Sequence, residues 1–103
     1  MKYTNLGNTQ VKTPVLWQGT TGLGSYKWHD PEKVRARIKM IRYGIENDLN
    51  FIDTGDLYGG GFVEETLGKE FKNIRDRLFI ATKCNPRISI EKSIIESLIN
   101  SLN

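Results

Sequence analysis

The 103-residue sequence is poor in the residues that define several classes of protein. Its single cysteine, Cys84, excludes an internal disulfide and fits a reducing compartment, so a cytoplasmic protein is expected. No apolar run approaches the ~20 residues of a membrane-spanning helix, and the first residues lack the apolar core of a signal peptide. The single histidine, His29, precedes a predicted helix and is expected on the surface, and no metal site is predicted.

Charge and composition indicate an ordinary soluble domain. The net charge is +3, hydrophobic residues make up 38% and charged residues 26%, so one domain with a normal core is expected. The basic residues are scattered over predicted helix faces and do not form a cluster, which argues against a nucleic-acid partner. We therefore expect neither a nucleic acid nor a membrane as a partner.

The hydrophobic pattern alternates between strands and helices. A hairpin is predicted over 3–13, strands over 15–17, 49–53 and 78–82, and helices from Asp30-Pro31 to Asn47-Asp48, over 63–73 and from Ser89 onward. The short run Val15-Leu16-Trp17 is expected to be buried, and the nearly all-apolar third strand to be covered on both faces. Such alternation predicts an α/β fold with a parallel sheet.

Each predicted helix carries one apolar stripe that should face the sheet. The stripes are Val34, Ile38, Ile41 and Ile45; Val63, Leu67, Phe71 and Ile74; and Ile94, Ile95, Leu98, Ile99 and Leu102. Asparagine tolerates the left-handed conformation, so Asn47-Asp48 is expected to end the first helix.

The stretch 50–61 combines a short strand, a carboxylate and a glycine-rich loop. Asp53 comes where the strand should end, Tyr58 follows among the glycines, and Lys83 ends the next predicted strand. Ligands of parallel α/β folds bind outside the carboxyl ends of the strands, and neighbouring strands lie ~4.8 Å apart. Asp53 and Lys83 are therefore expected to pair on this rim, with Tyr58 above it.

These three residue types can form a proton relay. A free phenol has a pKa of ~10, and a nearby ammonium lowers it by stabilising the phenolate. A carboxylate beyond the lysine keeps that ammonium charged and oriented, so Asp53, Lys83 and Tyr58 could donate a proton to a developing alkoxide. A structural interpretation of each stays open: Asp53 as a loop cap, Tyr58 as a cover of the rim, and Lys83 as a side chain extended to solvent.

The remaining loops give weaker signals. The glycines around Gly24 could admit a ligand close to the backbone, and Trp28 in the same loop could line a substrate pocket. Cys84 is expected to serve packing. The run Gly59-Gly60-Gly61 lacks the spacing and lysine of a P-loop, so it does not predict a phosphate site.

With these motifs in place, the whole chain resembles the N-terminal part of the aldo-keto reductases. The motifs that carry the likeness are Leu6-Gly7-Asn8-Thr9 with Val11-Lys12, Gly19-Thr20 with Gly22-Leu23-Gly24, Asn50 to Thr54 with Tyr58-Gly59, Glu64 with Leu67-Gly68, and Arg75-Asp76 with Ile80 to Lys83. The segment from Asp53 to Tyr58, together with Thr82-Lys83, is the most specific of them.

The resemblance implies a fold and an activity. The fold would be the N-terminal part of a (β/α)8 TIM barrel, an opening hairpin and about three strand–helix units, in a single partial domain over 1–103. The activity would be NADPH-dependent reduction of an aldehyde or ketone. Tyr58 would be the general acid, Lys83 would lower its pKa, and Asp53 would pair with Lys83.

The resemblance also assigns binding residues. The residues near the nicotinamide end of the cofactor would be Gly19, Thr20 and Asp53. The residues lining the substrate mouth would be Gly24, Trp28 and Tyr58. The substrate would be a small carbonyl compound.

The sequence departs from the family pattern in several places. The family's site also uses a histidine after the fourth strand, which His29 does not match, and its phosphate-binding segments belong to the last strands. Val63 stands where the family often has serine, and Gly55 where alanine is common. A TIM barrel needs about 250 residues. The chain is therefore expected to be a truncated reading or a split product, inactive alone, whose open strand edges bind the rest of the barrel or self-associate.

Two other functions remain open at this point. Some relatives in the family keep the barrel and the cofactor mainly to serve a partner protein, so a regulatory or partner-binding subunit is one alternative. A barrel lyase that forms a Schiff base through Lys83 is the other.

Overall fold

The strands form two small sheets in a computed structural model of the chain, which describes residues 1–24, 29–84, 95–96, 98–99 and 102. β1 (Tyr3–Asn5) and β2 (Lys12–Pro14) pair antiparallel, which confirms the predicted hairpin. β3 (Gln18–Gly19), β4 (Phe51–Asp53) and β5 (Phe79–Ala81) form a parallel sheet in the order β3-β4-β5. The predicted parallel sheet is confirmed, and its central strand is the one that carries Asp53.

The first helix, α1 (Pro31–Glu46), begins where the sequence predicts. The Asp30 carboxylate accepts a hydrogen bond from the backbone N–H of Glu32 at 2.9 Å, which caps the helix. The predicted stripe is buried against the sheet at Ile38, Ile41 and Ile45 and partly buried at Val34. At the other end the prediction was wrong in one detail: the left-handed residue is Asp48, with φ of 68°, and not Asn47.

The second helix, α2 (Phe62–Phe71), continues into a 3-10 segment over Lys72–Arg77. Val63, Leu67 and Phe71 are buried as predicted, and Ile74 is partly buried beside them. These side chains join those of α1 and the fully buried Ile52 of β4 in one apolar core. The helices therefore cover one face of the sheet.

The opposite face of the sheet carries a row of aromatic rings. Trp17 stacks on Phe51 with ring centroids 4.2 Å apart, and Phe51 lies 6.1 Å from Phe79. Side chains alternate along a strand, so Asp53, two residues after Phe51, lies on this same face. We call it the open face, because no described element packs over it as the helices pack over the other.

Two predictions of burial were wrong. Val15, Leu16 and Trp17 were expected to be a buried strand, but they are 45%, 61% and 53% exposed, and the paired residues are Gln18–Gly19. β5 was expected to be covered on both faces, but Phe79 is 38% exposed. Among the described residues on the open face, only Phe51, which lies between the rings of Trp17 and Phe79, is buried, at 6% exposure.

The start of the predicted third helix, at Ser89, and Ile94 lie outside the described residues. Residues 95–96, 98–99 and 102 are helical. Their predicted burial is wrong, because Ile95, Leu98, Ile99 and Leu102 are between 51% and 72% exposed. The described part of the chain contains no helix with the length and apolarity needed to cross a membrane.

Candidate active site

The end of β3 is fixed to the end of β4 through Thr20. The backbone N–H and the hydroxyl of Thr20 both donate to the backbone carbonyl of Asp53, at 3.1 and 2.9 Å. Thr20 is only 2% exposed, so these bonds hold in a buried position. The segment that follows β3 is therefore anchored beside Asp53.

Hydrogen bonding between β4 and β5 continues beyond the strands and brings Lys83 to the site. The N–H of Thr54 donates to the carbonyl of Ala81 at 2.8 Å, and the N–H of Asp56 donates to the carbonyl of Lys83 at 3.3 Å. The Thr82 hydroxyl also donates to the Glu64 carboxylate of α2 at 2.5 Å, one residue before the lysine. The contacts of Thr82 and of the Lys83 carbonyl thus fix the backbone around Lys83 opposite the end of β4.

The glycine run places Tyr58 above this rim. Tyr58–Gly61 forms a 3-10 turn in which Gly59, Gly60 and Gly61 have φ values of 61°, 64° and 96°. Three successive residues of left-handed φ require glycine, because a side chain would strain the backbone at each. Gly55 lets the phenol ring lie close to the backbone, since a Cβ there would stand 3.2 Å from the ring.

The ammonium of Lys83 joins the predicted residues into one cluster. Lys83 Nζ donates to Asp53 Oδ1 at 2.7 Å, to the Thr54 carbonyl at 2.6 Å and to the Tyr58 hydroxyl at 3.1 Å. It also lies 4.8 Å from the centroid of the Tyr58 ring. An ammonium has three protons, and each has an acceptor here. The hydrogen bond to Asp53, followed by the one to Tyr58, raises the pKa of Lys83.

The sequence analysis missed a second side chain at Tyr58. A hydrogen bond with the Thr21 side chain is the largest effect lowering the pKa of Tyr58, and the hydrogen bond from Lys83 is the next. Thr21 lies two residues after the end of β3, so the rule that selected Asp53 and Lys83, polar residues where strands end, would also have selected it.

The other predicted site residues occupy different environments. Gly19 pairs in register with Asp53 and is exposed, with open space where a side chain would be. Thr20 is buried and its hydroxyl is used by the fold, as described above. Gly24 has φ of 128°, and a Cβ on it would come within 2.9 Å of the His29 side chain. Trp28 lies outside the described residues. The cofactor and substrate roles of these positions stay predictions.

Comparison with known proteins gives the family. A sequence model described as the Aldo/keto reductase family matches residues 16–103. The chain therefore belongs to the aldo/keto reductase family, which confirms the resemblance stated from its motifs. Its fold is accordingly the N-terminal part of a (β/α)8 barrel.

Individual relatives agree with this assignment. The chain is 32% identical to Aldo-keto reductase YhdN of Bacillus subtilis over 85 residues, covering 81% of the chain and 25% of that protein. It is 30% identical to Methylglyoxal reductase YeaE of Escherichia coli over 76 residues, covering 74% of the chain and 25% of that protein. It thus spans about a quarter of the length of these relatives.

Solved structures resemble the chain over nearly its whole length. The thermostable aldo-keto reductase Tm1743, in complex with the inhibitor epalrestat, matches with a TM-score of 0.86 and 34% identity, covering 99% of the chain and 38% of that protein. An aldo/keto reductase from Klebsiella pneumoniae, in complex with NADP and acetate, matches with a TM-score of 0.78 and 28% identity, covering 90% of the chain and 31% of that protein.

Proposed function

We propose that this chain supplies the proton-donating half of the active site of an NADPH-dependent reductase that converts aldehydes or ketones to alcohols. The observation that carries the proposal is the single ammonium of Lys83, bonded at once to the Asp53 carboxylate and to the Tyr58 hydroxyl. Family membership supports it. We also propose a cytoplasmic location, supported by the single cysteine.

The proton chemistry follows from the contacts of Tyr58. A carbonyl that is being reduced develops negative charge on its oxygen and needs a proton donor close by. The Tyr58 hydroxyl is that donor. Its pKa is lowered by the hydrogen bonds with Thr21 and Lys83, which brings the acid nearer to neutral pH and stabilises the phenolate that remains. Asp53 keeps the Lys83 ammonium charged and in place.

The open face fits the nicotinamide end of a cofactor. Asp53 is flanked in its sheet register by Gly19 on one strand and Ala81 on the other, which carry no side chain and one methyl group. The neighbouring strands therefore place no bulky side chain level with Asp53, and Gly19 with Asp53 would hold the flat ring. When bound, the reduced nicotinamide supplies the hydride. Two observations support the choice of cofactor. They are the small residues on either side of Asp53 and the solved Klebsiella relative in complex with NADP.

The rest of the barrel is the proposed partner of this chain. The row of aromatic rings supports this proposal. Trp17 remains 53% exposed although its ring is stacked on Phe51, so an apolar surface is left for a partner to cover. Further barrel strands would cover these rings and complete the substrate pocket. Self-association through the open strand edges is the alternative to this partner.

The Schiff-base alternative is disfavoured by the state of Lys83. A lysine nucleophile must lose its proton, which requires a lowered pKa. Here the hydrogen bonds to Asp53 and Tyr58 raise the pKa of Lys83, and all three ammonium protons have acceptors. The contacts that hold the ammonium therefore oppose attack by the amine.

The test is Tyr58→Phe in the protein purified as its own cell makes it. Methylglyoxal is the first substrate to try, because one relative is a methylglyoxal reductase. Loss of absorbance of the reduced cofactor should show turnover, and Tyr58→Phe should lower it by about 10²–10⁴-fold because the general acid is gone. The matched control is Tyr43→Phe, since Tyr43 is a tyrosine of α1 that is 70% exposed.

Each alternative gives a different result in this experiment. Equal turnover by Tyr58→Phe and the parent protein would exclude Tyr58 as the acid. Cofactor binding without turnover on any carbonyl, together with a stable protein partner, would favour the regulatory subunit. Borohydride trapping of a carbonyl compound on Lys83 would favour the lyase.

A further inference from the structure

A hydrogen bond between two side chains ties the second helix to the chain that follows the last strand. The Thr82 hydroxyl donates to Glu64 Oε1 at 2.5 Å. Glu64 lies in the first turn of α2, and its neighbour Val63 is fully buried, so the backbone that carries the carboxylate is anchored in the core. Thr82 follows β5 and directly precedes Lys83. The bond therefore holds the chain one residue before the lysine of the site.

The hydrogen bond between Lys83 and Tyr58 joins the same two segments of the chain. The turn Tyr58–Gly61 runs directly into α2, so Tyr58 and Glu64 belong to one short continuous segment. Thr82 and Lys83 are consecutive residues of the other segment. Lys83 Nζ donates to the Tyr58 hydroxyl at 3.1 Å. The contact at the helix and the contact at the site thus span the same gap.

The other two hydrogen bonds of the Lys83 ammonium span a different gap. They go to Asp53 Oδ1 at 2.7 Å and to the Thr54 carbonyl at 2.6 Å, both at the end of β4. β4 is already paired with β5, and the Thr54 N–H donates to the Ala81 carbonyl at 2.8 Å. A small shift between α2 and the end of β5 would therefore leave these two bonds in place and lengthen the bond to Tyr58.

The bond to Tyr58 is also the one of the three that resists such a shift least. It is the longest, and its acceptor is a neutral phenol, whereas Asp53 offers a carboxylate. The Lys83 side chain has a flexible four-carbon stem and is 52% exposed, so its hydrogen bonds hold the ammonium more than packing does. The distance from the ammonium to the phenol therefore depends on how the backbone at 82–83 is held.

We propose that Glu64 is a positioning residue, which holds Thr82 against α2 and thereby keeps Lys83 Nζ within hydrogen-bonding distance of the Tyr58 hydroxyl. Glu64 acts through Thr82 and Lys83, and no covalent bond to it is made or broken. The consequence for catalysis rests on the proposed reductase function, but the consequence for the geometry does not. A contact that served the fold alone would stabilise the protein and leave Tyr58 unaffected, so the two roles can be separated.

The experiment removes the donor without changing any charge. Thr82→Val keeps the shape of the side chain and loses the hydroxyl, and Thr82→Ser restores it. Tyrosine labelled with ¹³C at the ring carbon bearing the hydroxyl is incorporated into the protein in its own cell, and the Tyr58 signal is assigned by its loss in Tyr58→Phe. The pKa of Tyr58 is then measured without substrate. The matched control is Glu65→Ala, because Glu65 also lies in the first turn of α2 but pairs with Lys69, and it should keep the parent value.

The change in Tyr58 decides the matter. After the hydrogen bond with Thr21, the one from Lys83 is the next cause that lowers the pKa of Tyr58, so weakening it should raise that pKa in Thr82→Val and not in Thr82→Ser. Glu64→Ala should give a higher pKa than Glu64→Gln, because both lose the charge and only glutamine keeps an acceptor oxygen. Equal values for these two variants, or an unchanged value in Thr82→Val, would overturn the proposal. Should Thr82→Val fail to fold, the comparison of Glu64→Ala with Glu64→Gln decides alone.

Kinetics add a readout that a purely structural contact would not move. Misplacing a reacting group by about 1 Å can cost about 10²-fold, and Thr82 is exposed, so we expect Thr82→Val to lower kcat about tenfold with KM nearly unchanged. In a Glu64→Ala background the same substitution should have little further effect, because the bond is already gone, and a full second loss would count against the proposal. A raised Tyr58 pKa without any carbonyl reduction would uphold the positioning role and reject only the proposed function.

Discussion

Gly44 in α1 lies against the side chain of Gln18, and replacing it with alanine tests how β3 is attached to the helix layer. A Cβ at Gly44 would stand 2.4 Å from Gln18 Oε1 and 2.6 Å from Gln18 Nε2, so the amide would have to move. That amide is in use: Gln18 Nε2 donates to the carbonyl of Ile41 at 3.1 Å and to that of Leu49 at 2.8 Å. It ties β3 to α1 and to the segment that enters β4.

Two opposing effects set the size of the change. Alanine is preferred to glycine in a helix interior by about 1 kcal/mol, which would stabilise the variant. Loss of the two hydrogen bonds of Gln18 costs about 1 kcal/mol each, or about 2 kcal/mol in all. We therefore expect Gly44→Ala to lower the free energy of unfolding by about 1 kcal/mol.

The assay is urea unfolding, with Gly68→Ala as the matched control. Gly68 also lies inside a helix, α2, but a Cβ there would meet no atom within 4 Å. Gly68→Ala should therefore raise the free energy of unfolding by up to about 1 kcal/mol. In a Gln18→Ala background the clash is gone, so Gly44→Ala should become stabilising as well. A Gly44→Ala protein as stable as Gly68→Ala would refute the reasoning.

Two further predictions concern the rim. Gly60 has φ of 64° and open space around it, so Gly60→Ala should cost only backbone strain of about 1–2 kcal/mol in the same unfolding assay. Gly60→Asn should cost less, because asparagine adopts the left-handed conformation more readily. Equal costs for the two variants would contradict the strain argument. The raised pKa of Lys83 means that its stabilising contribution is complete below the ordinary lysine value of about 10.4 and is lost as pH rises through the raised value. Asp53→Asn should reduce that alkaline loss and lower the pKa of Lys83, and an NMR titration of the lysine that shows no decrease would argue against Asp53 as the main cause.

The cluster of Asp53, Lys83 and Tyr58 could be predicted because one rule of parallel sheets places it. Strand ends meet at one edge, and β4 and β5 are each marked by an apolar run, so the polar residues that follow these two runs become neighbours once the strands pair. The third, Tyr58, is tied to Asp53 by only a few residues of loop. None of these steps requires side-chain directions.

Burial was predicted less well, because it depends on what lies across from each side chain. Trp17 and Phe79 have the apolar character of core residues, yet they face the side of the sheet that no described element covers. The hydrogen bond of Thr21 was missed for a related reason. Sequence gives its place after β3, but whether its hydroxyl meets the phenol depends on the angle between two turns.

Side chains alternate along the strands of the parallel sheet, so even-numbered and odd-numbered residues point to opposite faces. The positions that pack on the helices or tie the strands to them are even-numbered: Gln18, Ile52 and Ile80. The positions on the open face are odd-numbered: Gly19, Phe51, Asp53, Phe79 and Ala81, together with Trp17, whose ring stacks on Phe51. Side chains that meet the helix layer and side chains that meet the open face therefore alternate along each strand. The barrel's interior could thus diverge toward new substrates without disturbing the helix layer, whereas one inserted or deleted residue within a strand would exchange the two roles at once.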